Sequence, residues 1–301
     1  MSFTSNIKNE VSKLNLNKVE TISMLSAVVK NIGIINETIK ITTENASLAR
    51  MIFKNIKDNY HESARIVVRR GYNFNKNYLY ILEIKNQISN IIKDLGLDYS
   101  FIPDYLVADN SLKRAYLSGL FLAVGSINDP KKSRYHLEFL INDENYAENI
   151  KNLLNEFNLN SKIIKRDNKF MVYIKEAEKI GDFLRIISAS NALLYYEDIR
   201  IYRENKNMTN RLNNCEQANV DKTIMAASSQ IKDIEIIKEN DFYDMLDEKL
   251  KVLVDYRCKY PEVSLQELSD IMSHELDNHI TKSGLNHRFK KIKEIANRLK
   301  N

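Results

Sequence analysis

A pattern of nine apolar and small residues occurs twice along the chain, at residues 25–33 and 117–125. The second copy, LSGLFLAVG, is apolar at almost every position, and the first, LSAVVKNIG, shares its leucine, serine and final glycine at one constant offset. A helix that is apolar on all sides has to be buried, and a final glycine suits a left-handed helix terminus, here at Gly33 and Gly125. We therefore predict two buried helices that approach closely through their small residues, Ser26, Ala27, Ser118, Gly119 and Ala123.

The elements that follow the two nonamers also repeat. Alternating residues predict a first hairpin, four-residue spacing predicts a helix, two β-branched runs predict a second hairpin, and a further helix closes each half. Two ordinary core helices that look alike would not explain this longer repeat. We predict an α+β domain with pseudo-twofold symmetry, built from two αββαββα halves at residues 1–104 and 105–201. The matched segments are 34–43 and 135–141, 45–59 and 144–158, 65–84 and 162–174, and 87–95 and 177–187.

Residues 202–240 differ from the repeat in composition. The stretch 203–219 is dense in amides and poor in apolar residues, whereas Lys222 to Ile231 has helical character. We predict a connector that contains one helix. On composition alone, a solvated linker is the ordinary alternative.

The last segment, residues 241–301, shows three helical patterns, and three short helices with a basic last one predict an all-α helix-turn-helix domain. The first helix ends before Pro261, Ser264 and Glu267 form a capping box for the second, and Ser283 can cap the third. The connection from Ser273 to Lys282 is longer than the usual three or four residues. The predicted core side of the third helix is Leu285, Phe289, Ile292, Ala296 and Leu299.

Positive charge is concentrated on this third helix. The chain carries a net charge of +5, of which residues 280–301 contribute seven basic residues against one acid. Asn286 can bond adenine bidentately and Lys290 can bond guanine, whereas Lys282, Arg288 and Lys293 suit phosphates. We favour nucleic-acid binding over the alternative of a merely solubilising face. The predicted double-stranded DNA contacts are Lys282, Ser283, Asn286, His287, Arg288, Lys290, Lys291 and Lys293.

The hairpins of the repeat offer a second candidate surface. Arg65 and Arg69 share one strand face, and Lys162 and Arg166 share the corresponding face in the second half. Because the rest of this region is near neutral, residual DNA contact and a protein-binding surface are equally good interpretations.

Composition excludes several other classes of protein. The N-terminus lacks the apolar core of a signal peptide, and the longest apolar run, Ala115 to Ile127, is shorter than the roughly 20 residues of a membrane span. Cys215 and Cys258 form neither a disulfide framework nor a metal spacing. We predict a cytoplasmic, nucleoid-associated protein with no membrane contact, no metal and no cofactor.

The nonamers resemble the LAGLIDADG helices of homing endonucleases, where an acid just before the final glycine binds the catalytic metal. Here those positions are Ile32 and Val124, which cannot ligate a metal. The nearest acids that the repeat relates are Glu37 and Asp129, and Asn128-Asp129-Pro130 is typical of a turn. We predict that the chain is not an enzyme, since two-metal cleavage needs carboxylates at the metal positions.

Taken as a whole, the chain resembles the WhiA family, in which a degenerate LAGLIDADG domain is joined to a helix-turn-helix. The similarity is carried by residues 113–130, by the amide-rich block around Asn210 to Thr223, and by Lys282 to Arg288. The resemblance implies a sequence-specific DNA-binding regulator of transcription in cell division, chromosome segregation or sporulation. A second regulatory protein or the transcription machinery would be a further partner. The alternatives are an interaction scaffold with incidental DNA contact and, third, an active endonuclease.

Overall fold

The computed structural model describes residues 2–70, 78–132 and 134–300, and the chain divides into two compact units, Met1–Arg203 and Glu204–Asn301. The first unit is mixed α and β, and the second is helical. The repeated elements of the first unit follow the order predicted from the sequence, and one further helix precedes them. The helices that begin in the first unit are α1 (Phe3–Val11), α2 (Lys18–Ile32), α3 (Ala46–Tyr60), α4 (Ile88–Asp94), α5 (Asn110–Val124), α6 (Glu144–Glu156), α7 (Ala177–Ile186) and α8 (Ser190–Glu239).

Two four-stranded antiparallel sheets have the same topology, β1-β2-β4-β3 and β5-β6-β8-β7. Their registers correspond, since Gly33 pairs with Ile41 in one sheet and Gly125 with Phe139 in the other. The hairpins predicted from the β-branched runs are confirmed. The strands are β1 (Gly33–Ile35), β2 (Ile39–Thr43), β3 (Arg65–Arg70), β4 (Tyr78–Ile84), β5 (Gly125–Ile127), β6 (Leu137–Ile141), β7 (Lys162–Arg166) and β8 (Lys169–Ile174).

Helices α2 and α5, which contain the two nonamers, pack against each other in the core of the first unit. A Cβ atom on Gly119 would overlap the carbonyl oxygen of Met24, so the two backbones are in contact at this point. Ser23 of α2 anchors it as well: the single proton of its hydroxyl is shared between the carbonyl oxygens of Leu106 and Leu112, which lie 2.7 Å and 2.9 Å from Ser23 Oγ. The prediction of close approach through small residues is confirmed.

Gly33 and Gly125 differ from the prediction of left-handed helix ends. Their φ and ψ angles are −85° and 141°, and −74° and 143°, which is extended backbone. The prediction is wrong because β1 and β5 begin at the glycines themselves, so the chain passes directly from helix to strand. Each position requires glycine for another reason: a Cβ atom would overlap the Val29 carbonyl oxygen or the Phe121 side chain of the preceding turn.

Hydroxyl and amide groups join the two halves of the repeat. The hydroxyls of Tyr116 on α5 and Tyr146 on α6 lie 2.8 Å apart, and Asn31 Nδ2 on α2 donates to Tyr146 at 3.0 Å. Burial raises the pKa of Tyr146 to about 12. The network therefore stays protonated at physiological pH and fixes α2 of the first half to α6 of the second.

Helix α1 is an element that the sequence analysis did not predict. Its apolar residues Phe3, Ile7 and Val11 are buried, and Thr4 Oγ1 both donates to and accepts from the backbone of Ile127 at 2.9 Å. Glu10 accepts from the backbone N–H of Asn191 at the start of α8 at 2.8 Å. The sequence analysis missed this helix because most residues of the N-terminus are polar and only these three apolar residues form its buried side.

Helix α8 includes the amide-rich block. The sequence predicted a connector with one helix between Lys222 and Ile231, whereas the helix is continuous from Ser190 to Glu239. Every residue from 204 to 222 is exposed, so the block is solvated as the linker interpretation required, but it is helical. The predicted domain boundaries stay a prediction.

The second unit is built around a separate apolar core. Ile234 and Ile237 from the end of α8 are buried there together with Leu253, Met272 and Ile292. None of the helices that the structure describes is long and apolar enough to cross a membrane. The remaining helices are α9 (Glu248–Lys259), α10 (Leu265–Glu275) and α11 (Lys282–Lys300).

Candidate nucleic-acid interface

Helix α11 presents one buried and one exposed face. Leu285, Phe289, Ile292 and Ala296 are buried, as predicted, and Leu299 is half-buried. All eight predicted contact residues lie within this helix, and only Arg288 among them is half-buried. The exposed ones are Lys282, Ser283, Asn286, His287, Lys290, Lys291 and Lys293.

The start of α11 differs from the prediction by two residues. Thr281 Oγ1 accepts from the backbone N–H of Gly284 at 3.1 Å, so Thr281 rather than Ser283 caps the helix. The prediction of Ser283 is wrong because the helix begins at Lys282, which places Ser283 inside the first turn. Its hydroxyl is exposed.

The connection between α10 and α11 is shorter than the sequence indicated. Helix α10 opens with the predicted capping box of Ser264 and Glu267 and continues to Glu275, which leaves residues 276–281 as the connection. Two serines fasten it: Ser269 Oγ donates to the Ile280 carbonyl oxygen at 2.7 Å, and Ser273 Oγ accepts from the Ile280 N–H at 3.0 Å. The start of α11 is therefore held against α10.

Arg257 is a structural residue that the sequence analysis missed. Its side chain is 1 % exposed, and its guanidinium donates to the carbonyl oxygens of Tyr260 at 3.2 Å and Val263 at 2.8 Å. The guanidinium carbon lies 5.5 Å from the centre of the Phe289 ring, so it joins the turn after α9 to α11. The spacing from Leu250, Leu253 and Val254 would have placed residue 257 on the core side.

A cleft of about 660 Å³ lies between α10 and the start of α11. It adds side chains that can bond nucleic acid and that the sequence analysis did not select, namely Gln266, His274 and His279. Asp270 also lines it and accepts from Gln266 Nε2 at 3.0 Å. The exposed face of α11 thus continues into a polar cleft with one acid.

The second candidate surface is formed by the outer faces of the two sheets. Arg65 pairs with Glu83, and Lys162 pairs with Tyr173. In the partner strands β4 and β8 the next positions, Leu82 and Val172, are buried, although Ile66, which pairs with Leu82, is itself 40 % exposed. Arg65, Arg69, Lys162 and Arg166 are all exposed, so each pair lies on the face that points away from the core. These four residues belong to the first unit, whereas α11 belongs to the second.

The residues that end α2 and α5 have aliphatic side chains, which cannot ligate a metal ion. Ile32 and Val124 are the last residues of the two helices, and Lys8 Nζ lies 3.5 Å from the Ala123 carbonyl oxygen beside them. Asp129 accepts a hydrogen bond from the Lys131 N–H at 2.9 Å in the turn after β5. This bond agrees with the interpretation of Asp129 as a turn residue. No group of three or more His, Cys, Asp or Glu residues that could hold a metal occurs among the described residues.

Family models match the chain in three consecutive segments. The WhiA N-terminal LAGLIDADG-like domain matches residues 19–98, the WhiA LAGLIDADG-like domain matches 113–206, and the WhiA C-terminal HTH domain matches 209–296. A probable cell division protein WhiA from Clostridium botulinum is 40% identical over 100% of this chain and 99% of its own length. The chain belongs to the WhiA family.

Solved structures of WhiA proteins agree with this assignment. The full-length DUF199/WhiA from Thermatoga maritima has a TM-score of 0.61 and 28% identity, and 99% of each chain is covered. The N-terminal LAGLIDADG domain of DUF199/WhiA has a TM-score of 0.50 and 25% identity over 62% of this chain and 92% of that one. The predicted fold class, a LAGLIDADG-like α+β domain followed by a helix-turn-helix, is confirmed.

Proposed function

We propose that this WhiA-family protein binds double-stranded DNA sequence-specifically through α11 and regulates transcription in cell division. The observation that carries the proposal is the exposed face of α11, where Asn286, Lys290 and Lys291 stand clear of the buried stripe. Amides and ammonium groups on a helix of this kind can bond base edges in the major groove. A role in chromosome segregation or sporulation, and a nucleoid-associated location in the cytoplasm, belong to the same proposal.

The contacts of α11 separate into two predicted classes. All three side chains are exposed, but Asn286 and Lys290 lie in the first half of the helix, which we place at the base edges, whereas Lys293 lies in the second half and suits phosphate. Loss of a base contact costs about 1–3 kcal/mol and relaxes preference at one position, whereas loss of a phosphate contact weakens all sequences and lowers the salt slope by about one. The two classes can therefore be distinguished by experiment.

The test uses the full chain and a duplex selected from a random library, together with a scrambled duplex. Affinities are measured over a salt series for Asn286→Ala, Lys290→Ala and Lys293→Ala, with Lys13→Ala, at an exposed lysine just after α1, as the control. We expect the first two variants to lose discrimination between the duplexes and the third to lose affinity for both. Equal losses on both duplexes for all three would make α11 an electrostatic anchor, and no loss at all would refute the proposal.

A second proposed surface is the pair of outer sheet faces with Arg65, Arg69, Lys162 and Arg166. Exposed apolar side chains adjoin the basic ones there, including Ile164 at 50 % exposure, and such mixed surfaces suit a protein partner as well as DNA. A second regulatory protein or the transcription machinery is the proposed partner class. If the α11 variants leave DNA binding intact, the scaffold alternative takes precedence.

We also infer that the chain does not cleave DNA. Magnesium needs oxygen ligands, but aliphatic side chains end α2 and α5, and the ammonium of Lys8 lies beside the end of α5. The positive charge of Lys8 at that position repels a magnesium ion and so opposes its binding. Incubation of supercoiled plasmid with magnesium or manganese should leave the plasmid intact, and cleavage that disappears in Asp129→Asn or Glu37→Gln would overturn the inference.

A further inference from the structure

A cleft of about 760 Å³ lies in the first unit between α1, the carboxyl end of α5 and the strands β2 and β4. We call it the Lys8 cleft and define it by Ser2, Ser5, Lys8, Thr43, Tyr78 and Tyr80, which all line it. Its volume falls within the roughly 300–1,000 Å³ of small-molecule sites. None of these six residues belongs to the proposed DNA surfaces.

Lys8 supplies a cation that its surroundings compensate only weakly. Its Nζ lies 3.5 Å from the Ala123 carbonyl oxygen and 5.9 Å from the centre of the Phe121 ring. In the described part of the chain, no carboxylate lies within ion-pair distance of this ammonium. Burial lowers the pKa of Lys8 to about 8. The group is therefore charged at neutral pH and would be stabilised by an anion.

Hydroxyl groups in the cleft add hydrogen-bond donors beside the ammonium. Ser2 Oγ accepts from the Ser5 N–H at 3.1 Å, and Thr43 Oγ1 accepts from the Asn45 N–H at 3.2 Å. These bonds fix the two oxygens while each hydroxyl proton can still be donated to a ligand. Ser2 is also the N-cap of α1, and a helix N-terminus favours negative charge. Together the groups suit a phosphate.

The remaining walls of the cleft suit an aromatic ring and a sugar. Tyr78 and Tyr80 are two residues apart on β4 and so share one face of the strand. Tyr80 pairs with Thr43, which places a ring next to one of the hydroxyls. Glu44 lines the cleft as well. A carboxylate opposes a free anion but can accept hydrogen bonds from sugar hydroxyls, so the chemistry favours a nucleotide over inorganic phosphate.

We propose that the Lys8 cleft binds a mononucleotide, with its phosphate on Lys8, Ser2 and Thr43 and its base against Tyr78 and Tyr80. The proposal adds a small-molecule ligand to a chain whose sequence predicted none. It does not depend on DNA binding by α11, because all of the residues involved lie in the first unit.

Calorimetric titration of the full chain with adenosine or guanosine 5′-monophosphate tests the proposal. We expect at least one of them to bind more tightly than about 1 mM, and adenosine or guanosine alone to bind more weakly. Lys8→Met should weaken the nucleotide by at least about tenfold, since it removes a charged hydrogen bond. Lys13→Met, at a lysine of the same region outside the cleft, should change nothing. Tyr78→Leu should weaken the nucleotide but not inorganic phosphate.

Three results would overturn the proposal. One is the absence of binding by both nucleotides at millimolar concentration. Another is nucleotide binding that Lys8→Met leaves unchanged while its circular dichroism shows a folded chain. The third is a loss of affinity in Lys8→Met for a short DNA duplex alone, which would mean that the cleft takes a backbone phosphate and not a free nucleotide.

Discussion

The ammonium group of Lys8 is largely buried, and burial makes its charged form less stable. The ordinary pKa of a lysine is 10.5, and the folded protein lowers that of Lys8 to about 8. The reason is desolvation, because a carbonyl oxygen at 3.5 Å and an aromatic ring replace water around the group. At pH 7 the folded protein therefore holds a charge that the unfolded chain would solvate better.

Replacement of Lys8 by methionine should raise the free energy of unfolding at neutral pH. Between pH 8 and 10.5 the unfolded chain keeps the lysine proton and the folded one releases it, so the stability of the unmodified protein rises with pH in this window. The unfavourable contribution is fully present below pH 8 and absent above the unfolded pKa. The gain from Lys8→Met should accordingly be largest at pH 7 and shrink by pH 10.

Urea unfolding at the two pH values measures this gain, and subtraction of the values for Lys13→Met removes the titration of other groups. A variant that is destabilised to the same extent at both pH values would show that the ammonium is well compensated by the protein. The lysine would then contribute chiefly through the packing of its methylene groups.

At the scale of the elements, the packing of α2 against α5 depends on the absence of a side chain at Gly119. Gly119 brings the α5 backbone against the Met24 carbonyl oxygen of α2. The Ser23 hydroxyl of α2 reinforces the pair through the Leu112 carbonyl oxygen of α5. Protein cores are close-packed, so a backbone contact of this kind leaves no room for adjustment by rotamer change.

Gly119→Ala should lower the stability of the first unit by about 1–3 kcal/mol, as overpacking of a core does. Alanine favours the helix more than glycine does, so a loss of stability has to come from the collision with α2. Gly284→Ala in α11 is the matched control, because only Thr281 Oγ1 lies near the added Cβ atom, at 3.2 Å. Urea unfolding followed by circular dichroism compares the two. Equal effects of both substitutions would contradict the backbone contact.

At the scale of the whole molecule, two units with separate cores carry different chemistry. The first contains a duplicated αββαββα fold in which aliphatic residues end α2 and α5 and the ammonium of Lys8 lies beside the end of α5. The second buries α9, α10, α11 and the last turns of α8 around its own apolar residues. The proposed DNA contacts on α11 and the proposed ligand cleft at Lys8 belong to different units, so a variant in either one tests one proposal without altering the surface of the other.

The sequence by itself determined the order of the repeated elements, the twofold repeat, the capping box at Ser264 and the buried stripe of α11. These features are local, since spacing of apolar residues and short-range hydrogen bonds specify them. Ile32 and Val124 were also found in the sequence, because the resemblance of the nonamers to LAGLIDADG helices marks the position just before each final glycine.

Only the tertiary structure decided the features that depend on groups distant in sequence. Gly33 and Gly125 are extended because strands begin there, and α8 continues through a block whose amides give no helical signal. Lys8 is a polar residue in a polar segment, and its position beside Ala123 follows from packing across 115 residues of chain. Burial and contact partners are set by the complete fold, so residue type and spacing alone cannot specify them.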